Sequence, residues 1–154
     1  MTEQLEDRPT VDRSYMDMAA VWARRSKAKR KKVGALIVKD KRIIGDGYNG
    51  LPPGMEGACE IDEHTTDPRV IHAEMNAIGK LAMSESGGGA EGSTLYVTMS
   101  PCTNCVSAIL AARIKRVVFE EKYRISDGIN TLLECGVIVE QIHEDGTTTV
   151  QSLV

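Results

Sequence analysis

Short β-branched runs and helical stretches alternate along this chain, and few architectures accommodate that alternation. Val33-Gly-Ala-Leu-Ile-Val38 reads as a buried strand, Lys39-Asp40-Lys41 as a turn, and Arg42 to Asp46 as the hairpin partner. Further strands are expected at Ser93 to Thr98, Arg116 to Glu120 and Gly136 to Glu140. The spacing predicts helices over Asp12 to Lys29, Ile71 to Ser86, Pro101 to Ala112 and Asp127 to Cys135. Pro101 suits a helix start because proline lacks the N–H that a first turn leaves unpaired. The order is α-β-β-α-β-α-β-α-β. An opening antiparallel hairpin followed by right-handed strand–helix–strand units gives a three-layer α/β/α sandwich, with a mixed sheet of about five strands.

With 154 residues the chain suits one domain. Residues 1–11 read as a flexible N-terminal arm, 12–141 as the domain and 142–154 as a polar, weakly patterned tail. In the first helix Tyr15, Met18, Ala19 and Trp22 recur at helical spacing and form the expected apolar face, with Ser26 continuing it. Gly47 to Arg69 is rich in Gly, Pro and acidic residues, a loop long enough to suspect function. The one low-complexity patch is Gly87-Gly88-Gly89.

Charge narrows the function classes. Lys+Arg is 19 and Asp+Glu is 22, a net charge of −3, so binding to nucleic acid through bulk charge is disfavoured. No apolar run approaches ~18 residues, so no membrane span is expected. The acidic start, Met1 to Asp7, lacks the basic-then-apolar pattern of a signal peptide. A cytoplasmic setting follows, where Cys59, Cys102, Cys105 and Cys135 stay reduced. Cys135, between Leu133 and Val137, is expected as a small buried residue, and His143 as a surface one.

Three of the remaining groups form a constellation. Cys102 and Cys105 stand three apart at a helix start, so both sulfurs face one side in a turn that favours thiolates. His72 adds a nitrogen from the start of another helix. Two thiolates and one imidazole make a three-ligand zinc site with its fourth position open, as a catalytic ion requires. Glu74 lies two residues from His72, about 200° around a continuous helix. The two converge only if the metal lies just beyond the helix N-terminus, which places Glu74 to move protons for water held there. Alone, C-x-x-C fits a redox pair, half of a four-ligand structural zinc site or two buried cysteines. His-x-Glu followed by Pro-Cys-x-x-Cys is more specific: it is the signature of zinc nucleobase deaminases, in which the Glu is acid/base and not ligand.

Here the sequence resembles the zinc-dependent cytidine and deoxycytidylate deaminases. Matching stretches are Met16 to Ser26, Val33 to Asp40, Arg42 to Gly54, Ile71 to Ile78, Leu95 to Cys105 and Ile114 to Tyr123. They span about residues 12–140, and Gly47 to Gly54 (G-Y-N-G-L-P-P-G) points to the deoxycytidylate branch. The resemblance implies the cytidine deaminase-like fold and hydrolysis of dCMP to dUMP and ammonia, supplying dUMP for thymidylate synthesis. It implies His72, Cys102 and Cys105 as ligands of catalytic Zn²⁺ and Glu74 as the proton carrier. The Ala73 N–H and Ser100 carbonyl would hold the base, Asn49 the sugar, and Tyr123 would also contact substrate. A homo-oligomer, commonly a hexamer, activated by dCTP and inhibited by dTTP, is a further implication. Many family members hold a second zinc in the long loop, whereas this loop offers only Cys59 and His64, too few for a closed site.

Arg24 to Lys32 carries seven of the 19 basic residues. It reads either as a solvated helix end or as a clamp for the phosphates of a monophosphate substrate or a triphosphate effector, with Arg25 and Ser26 its favoured members. Arg24 and Gly50 join them as candidates for a triphosphate effector, Mg²⁺ sharing its charge. Nucleic-acid binding would need stacking platforms, and the chain has one Trp, four Tyr and one Phe, with Trp22 and Tyr15 expected in the core. The alternatives are a tRNA adenosine deaminase, a free-cytidine or dCTP deaminase, a redox protein, and a structural zinc-binding module. Glu74 speaks against the last, because a structural site has no use for a carboxylate two residues from its His ligand.

Overall fold

The computed structural model describes residues 8–84 and 89–154. Most of the N-terminal arm and Gly87-Gly88 of the glycine run lie outside the described residues. The elements are α1 (Val11–Ala23), β1 (Gly34–Lys39), β2 (Arg42–Tyr48), α2 (Ala73–Ala82), β3 (Thr94–Met99), α3 (Thr103–Ala111), β4 (Arg116–Glu121), α4 (Asp127–Glu134), β5 (Ile138–Ile142) and β6 (Thr148–Val150). They follow the expected order, with one addition. The segment read as a polar tail returns as β6, antiparallel to β5, so the sheet has six strands in the order β2-β1-β3-β4-β5-β6. A three-residue edge strand with intermediate and exposed positions has too little apolar alternation to stand out in a sequence.

β1 pairs antiparallel with both β2 and β3, while β3, β4 and β5 run parallel. The hairpin turn places Asp40 at φ 50° and Lys41 at φ 63°, the left-handed pair that a two-residue connection requires, here without glycine. Alternate strand residues feed two cores. Ala35, Ile37, Leu95, Val97, Val117, Phe119 and Val139 meet α2, α3 and α4 on one face. Leu36, Val38, Tyr96 and Val118 meet α1 on the other. Burial on both faces is why the strands read as nearly continuous apolar runs.

α1 departs from expectation in two ways. It stops at Ala23, short of Lys29, and its buried face is Met16, Ala19 and Ala23, whereas Met18 is exposed. Tyr15 and Trp22 are half-buried, packed on Tyr96 and Tyr48 at the helix flank. The early stop follows from the cations after Ala23, whose like charges repel at helical spacing. Residues 26–33 instead run without repeating structure across one end of the sheet. Cys135 is also corrected: it caps α4 at a turn closed by Gly136 (φ 84°) and is exposed. His143 is exposed as expected.

Candidate active site

Two helix N-termini meet beyond the sheet. His72 is the N-cap of α2 and Cys102 the N-cap of α3, both in extended conformation. The sequence placed both helix starts two residues too early, and the correction matters: as caps, both side chains point off the helix ends. Cys105 lies in the first turn of α3, and Glu74 in the first turn of α2. His72 Nδ1 stands 3.2 Å from Cys105 Sγ and 3.4 Å from Cys102 Sγ, and the sulfurs are 3.9 Å apart. Tetrahedral Zn–N and Zn–S bonds put such donors ~3.6 and ~3.8 Å apart. The donor set and its spacing therefore fit zinc. Among the described residues no other His, Cys, Asp and Glu converge so as to hold a metal. Cys59 is buried and His64 exposed, and neither joins such a group.

Electrostatics agree with that use. Contact with Cys105 draws the Cys102 thiol down to about 3, aided by His72 and opposed by burial. The same contact, together with burial, pushes the Cys105 thiol up. A bound dication would hold both sulfurs as thiolates. Glu74 is only 4% exposed, and burial raises its carboxyl above the usual range. A buried carboxyl that protonates readily suits a group that must both take and give protons.

A cavity of about 380 Å³ opens over these residues, within the ~300–1,000 Å³ common for small ligands. His72, Ala73, Glu74, Ser100 and Cys102 line it, with Asn49 and Tyr123 alongside. Asn49 is locked by its own side chain: Oδ1 accepts from Val33 N (2.8 Å) and Nδ2 donates to Lys31 O (2.9 Å). Ser100 Oγ accepts from Tyr123 N at 2.7 Å, tying these two together.

Other expected residues sit elsewhere. Ser26 does not continue a helix face; it is buried behind Asn49, donating to Asn49 O (2.8 Å) and accepting from Ala28 N (3.1 Å). Gly50 bridges to Ile71, holding the long loop against the residue before His72. Arg24 and Arg25 are exposed and do not line the cavity. The cations that do are Arg30 and Lys31, with Glu60 and Thr66 from the long loop. Sequence reasoning named the basic run but favoured Arg25 and Ser26, neither of which lines the cavity, because it extended α1 past Ala23. It missed Glu60, which carries no motif.

The sequence profile of the cytidine and deoxycytidylate deaminase zinc-binding region matches residues 9–121. The chain is 41% identical to ComE operon protein 2 of Bacillus subtilis, over 90% of this chain and 75% of that protein. It is 35% identical to the deoxycytidylate deaminase of Mycobacterium phage D29, over 75% of this chain and 98% of the phage protein. The crystal structure of dCMP deaminase from cyanophage S-TIM5, in complex with dCMP and dUMP, superposes with a TM-score of 0.82. That likeness has 40% identity and covers 88% of this chain and 98% of the phage chain.

Proposed function

This chain belongs to the cytidine and deoxycytidylate deaminase family, and on that premise we propose that it hydrolyses dCMP to dUMP and ammonia. The observation that carries the reading is the buried Glu74 beside the His72–Cys102–Cys105 triangle, at the floor of a nucleotide-sized cavity. Zinc at the triangle supplies a Lewis acid able to ionise water near neutral pH. Glu74 accepts the proton released as the water oxygen adds to C4 of cytosine and delivers it to N3. It then takes the remaining proton from the hydroxyl on C4 and gives it to the amino nitrogen, which leaves as ammonia as the C4 carbonyl forms. The Ala73 N–H and Ser100 carbonyl present one donor and one acceptor to the base edge. Asn49, with one Nδ2 hydrogen committed to Lys31 O, directs its second toward the sugar. Arg30, Lys31 and Tyr123 face the phosphate end.

The regulatory reading is finer and rests on family resemblance: a cytoplasmic homo-hexamer, activated by dCTP and inhibited by dTTP. Arg24 and Arg25, exposed and off the cavity, together with Gly50, are the groups assigned to a triphosphate and its Mg²⁺. Such an effector must bind two subunit arrangements unequally.

Ammonia release from dCMP, CMP, dCTP, deoxycytidine and tRNA, with and without zinc, tests the reading. Preference for dCMP, dependent on zinc, is expected, and preference for any other member overturns it. Solution mass and dCMP saturation curves with and without dCTP test the regulatory half.

A further inference from the structure

The basic wall of the cavity has no secondary structure of its own, yet it is held at defined points, and one long-loop carboxylate supplies two of them. Glu60 Oε1 accepts from Lys29 N (2.9 Å) and Arg30 N (3.1 Å). The same turn of the loop makes a third contact with this stretch, because Thr66, which bridges to Glu60, accepts from Arg30 Nη2 at 2.7 Å. On the other side Lys31 O accepts from Asn49 and Lys31 Nζ pairs with Glu121. The stretch Lys27 to Lys32 carries five cations in six residues. Unheld, such a stretch extends into solvent by self-repulsion.

We propose that Glu60 is a positioning residue for substrate selection: it fixes the Lys29–Lys31 wall so that Arg30 and Lys31 face the phosphate end of the nucleotide. This rests on the dCMP reading above. Glu60 acts through the wall and touches no reacting atom. Its effect falls on monophosphate recognition and not on proton transfer at Glu74. The other carboxylate oxygen, Oε2, is buried without a hydrogen-bond partner in the protein. Because no donor points at Oε2, a glutamine can put its amide nitrogen there and keep Oε1 as the acceptor for both main-chain N–H groups.

The test compares wild type, E60Q and E60A on dCMP and deoxycytidine, each checked by thermal melting. For E60A we expect KM for dCMP to rise about tenfold with kcat little changed, while kcat/KM for deoxycytidine moves less than twofold. E60Q is expected within about threefold of wild type on both substrates. Equal losses on both substrates, or no loss on either, would overturn the proposal. Hydrogen exchange of the Lys29 and Arg30 amides in the wild-type enzyme gives a readout that does not depend on E60A folding. Protection of at least tenfold is expected, and free exchange at both amides overturns the proposal. A wild-type chain inactive on dCMP would instead overturn the reading on which the proposal rests.

Discussion

Single residues carry the chemistry, and those acting through local spacing were the ones readable in advance. His72 and Glu74, and separately Cys102 and Cys105, are each fixed by a few bonds of helix start, so sequence distance translates directly into direction. Glu74→Gln removes the proton carrier without touching a metal donor. It is expected to lower kcat by roughly 10²–10⁴-fold while one zinc per chain is retained. Turnover and metal analysis on the same preparation check this, and loss of zinc along with activity would mean that Glu74 holds the site together. His72→Ala should behave in the opposite order. With only two thiolates left in the triangle, the protein should purify without stoichiometric zinc and therefore without activity. Full metal content in that variant would remove His72 from the ligand set. Residues whose role depends on where a neighbouring element ends were less readable. Arg30 and Lys31 reach the cavity only because α1 stops at Ala23, and Cys135 is exposed only because it falls on the last turn of α4.

At the scale of elements, α2 must sit where its N-terminus brings His72 and Glu74 to α3, and β2 sets that position. A Cβ on Gly47 would come within 2.5 Å of Ala73 O and 2.6 Å of Ala77 N, so only glycine lets the helix backbone lie this close to the strand. Gly47→Ala is expected to destabilise the fold by roughly 1–3 kcal/mol, as overpacking typically does. The same change should lower kcat, since the displaced first turn of α2 carries Glu74. Urea unfolding and steady-state kinetics measure the two effects, and an unaltered kcat would show that the strand does not set the helix position. Gly128 of α4 plays a similar part, with a Cβ there 2.5 Å from Pro101 O, next to Cys102. Element type and order were legible because both faces of the sheet are covered and the apolar runs are long. Element ends were not, because they depend on partners far along the chain. Glu60 takes up the Lys29 and Arg30 N–H groups that a longer α1 would have paired internally.

At the scale of the whole molecule the two faces are unequally covered. Three helices close one core, and α1 alone covers the other. The three-layer arrangement and the parallel β3-β4-β5 segment follow from strand–helix alternation and handedness, which a sequence displays. What tethers α1 is not displayed, because it joins residues 84 to 104 positions apart. Arg116 of β4 donates to both oxygens of Asp12 (3.0 and 2.8 Å) and to both oxygens of Glu140 on β5 (3.1 and 2.9 Å). Tyr96 of β3 donates to Asp12 at 2.6 Å. Hydrogen bonding from Arg116 holds the Asp12 and Glu140 carboxyls below their usual values, against the opposing effect of burial. A folded-state pKa below the unfolded one stabilises the fold above the unfolded value, near ~4, and that contribution is lost as pH falls through the folded value. The Arg116 guanidinium, held upward by Asp12, stays charged throughout. Because the carboxylates are partly exposed, the contribution per pair is about 1 kcal/mol after solvent screening. Melting temperature should therefore hold its value from pH 7 to about pH 5 through this tether and decline as pH falls below ~4. Asp12→Asn should melt below wild type at pH 7 and converge on it as pH falls through the lowered folded-state value of the Asp12 carboxyl, where the wild-type group is itself becoming neutral. A gap between the two proteins that stays constant across this range would place the acid sensitivity outside the Asp12–Arg116 tether.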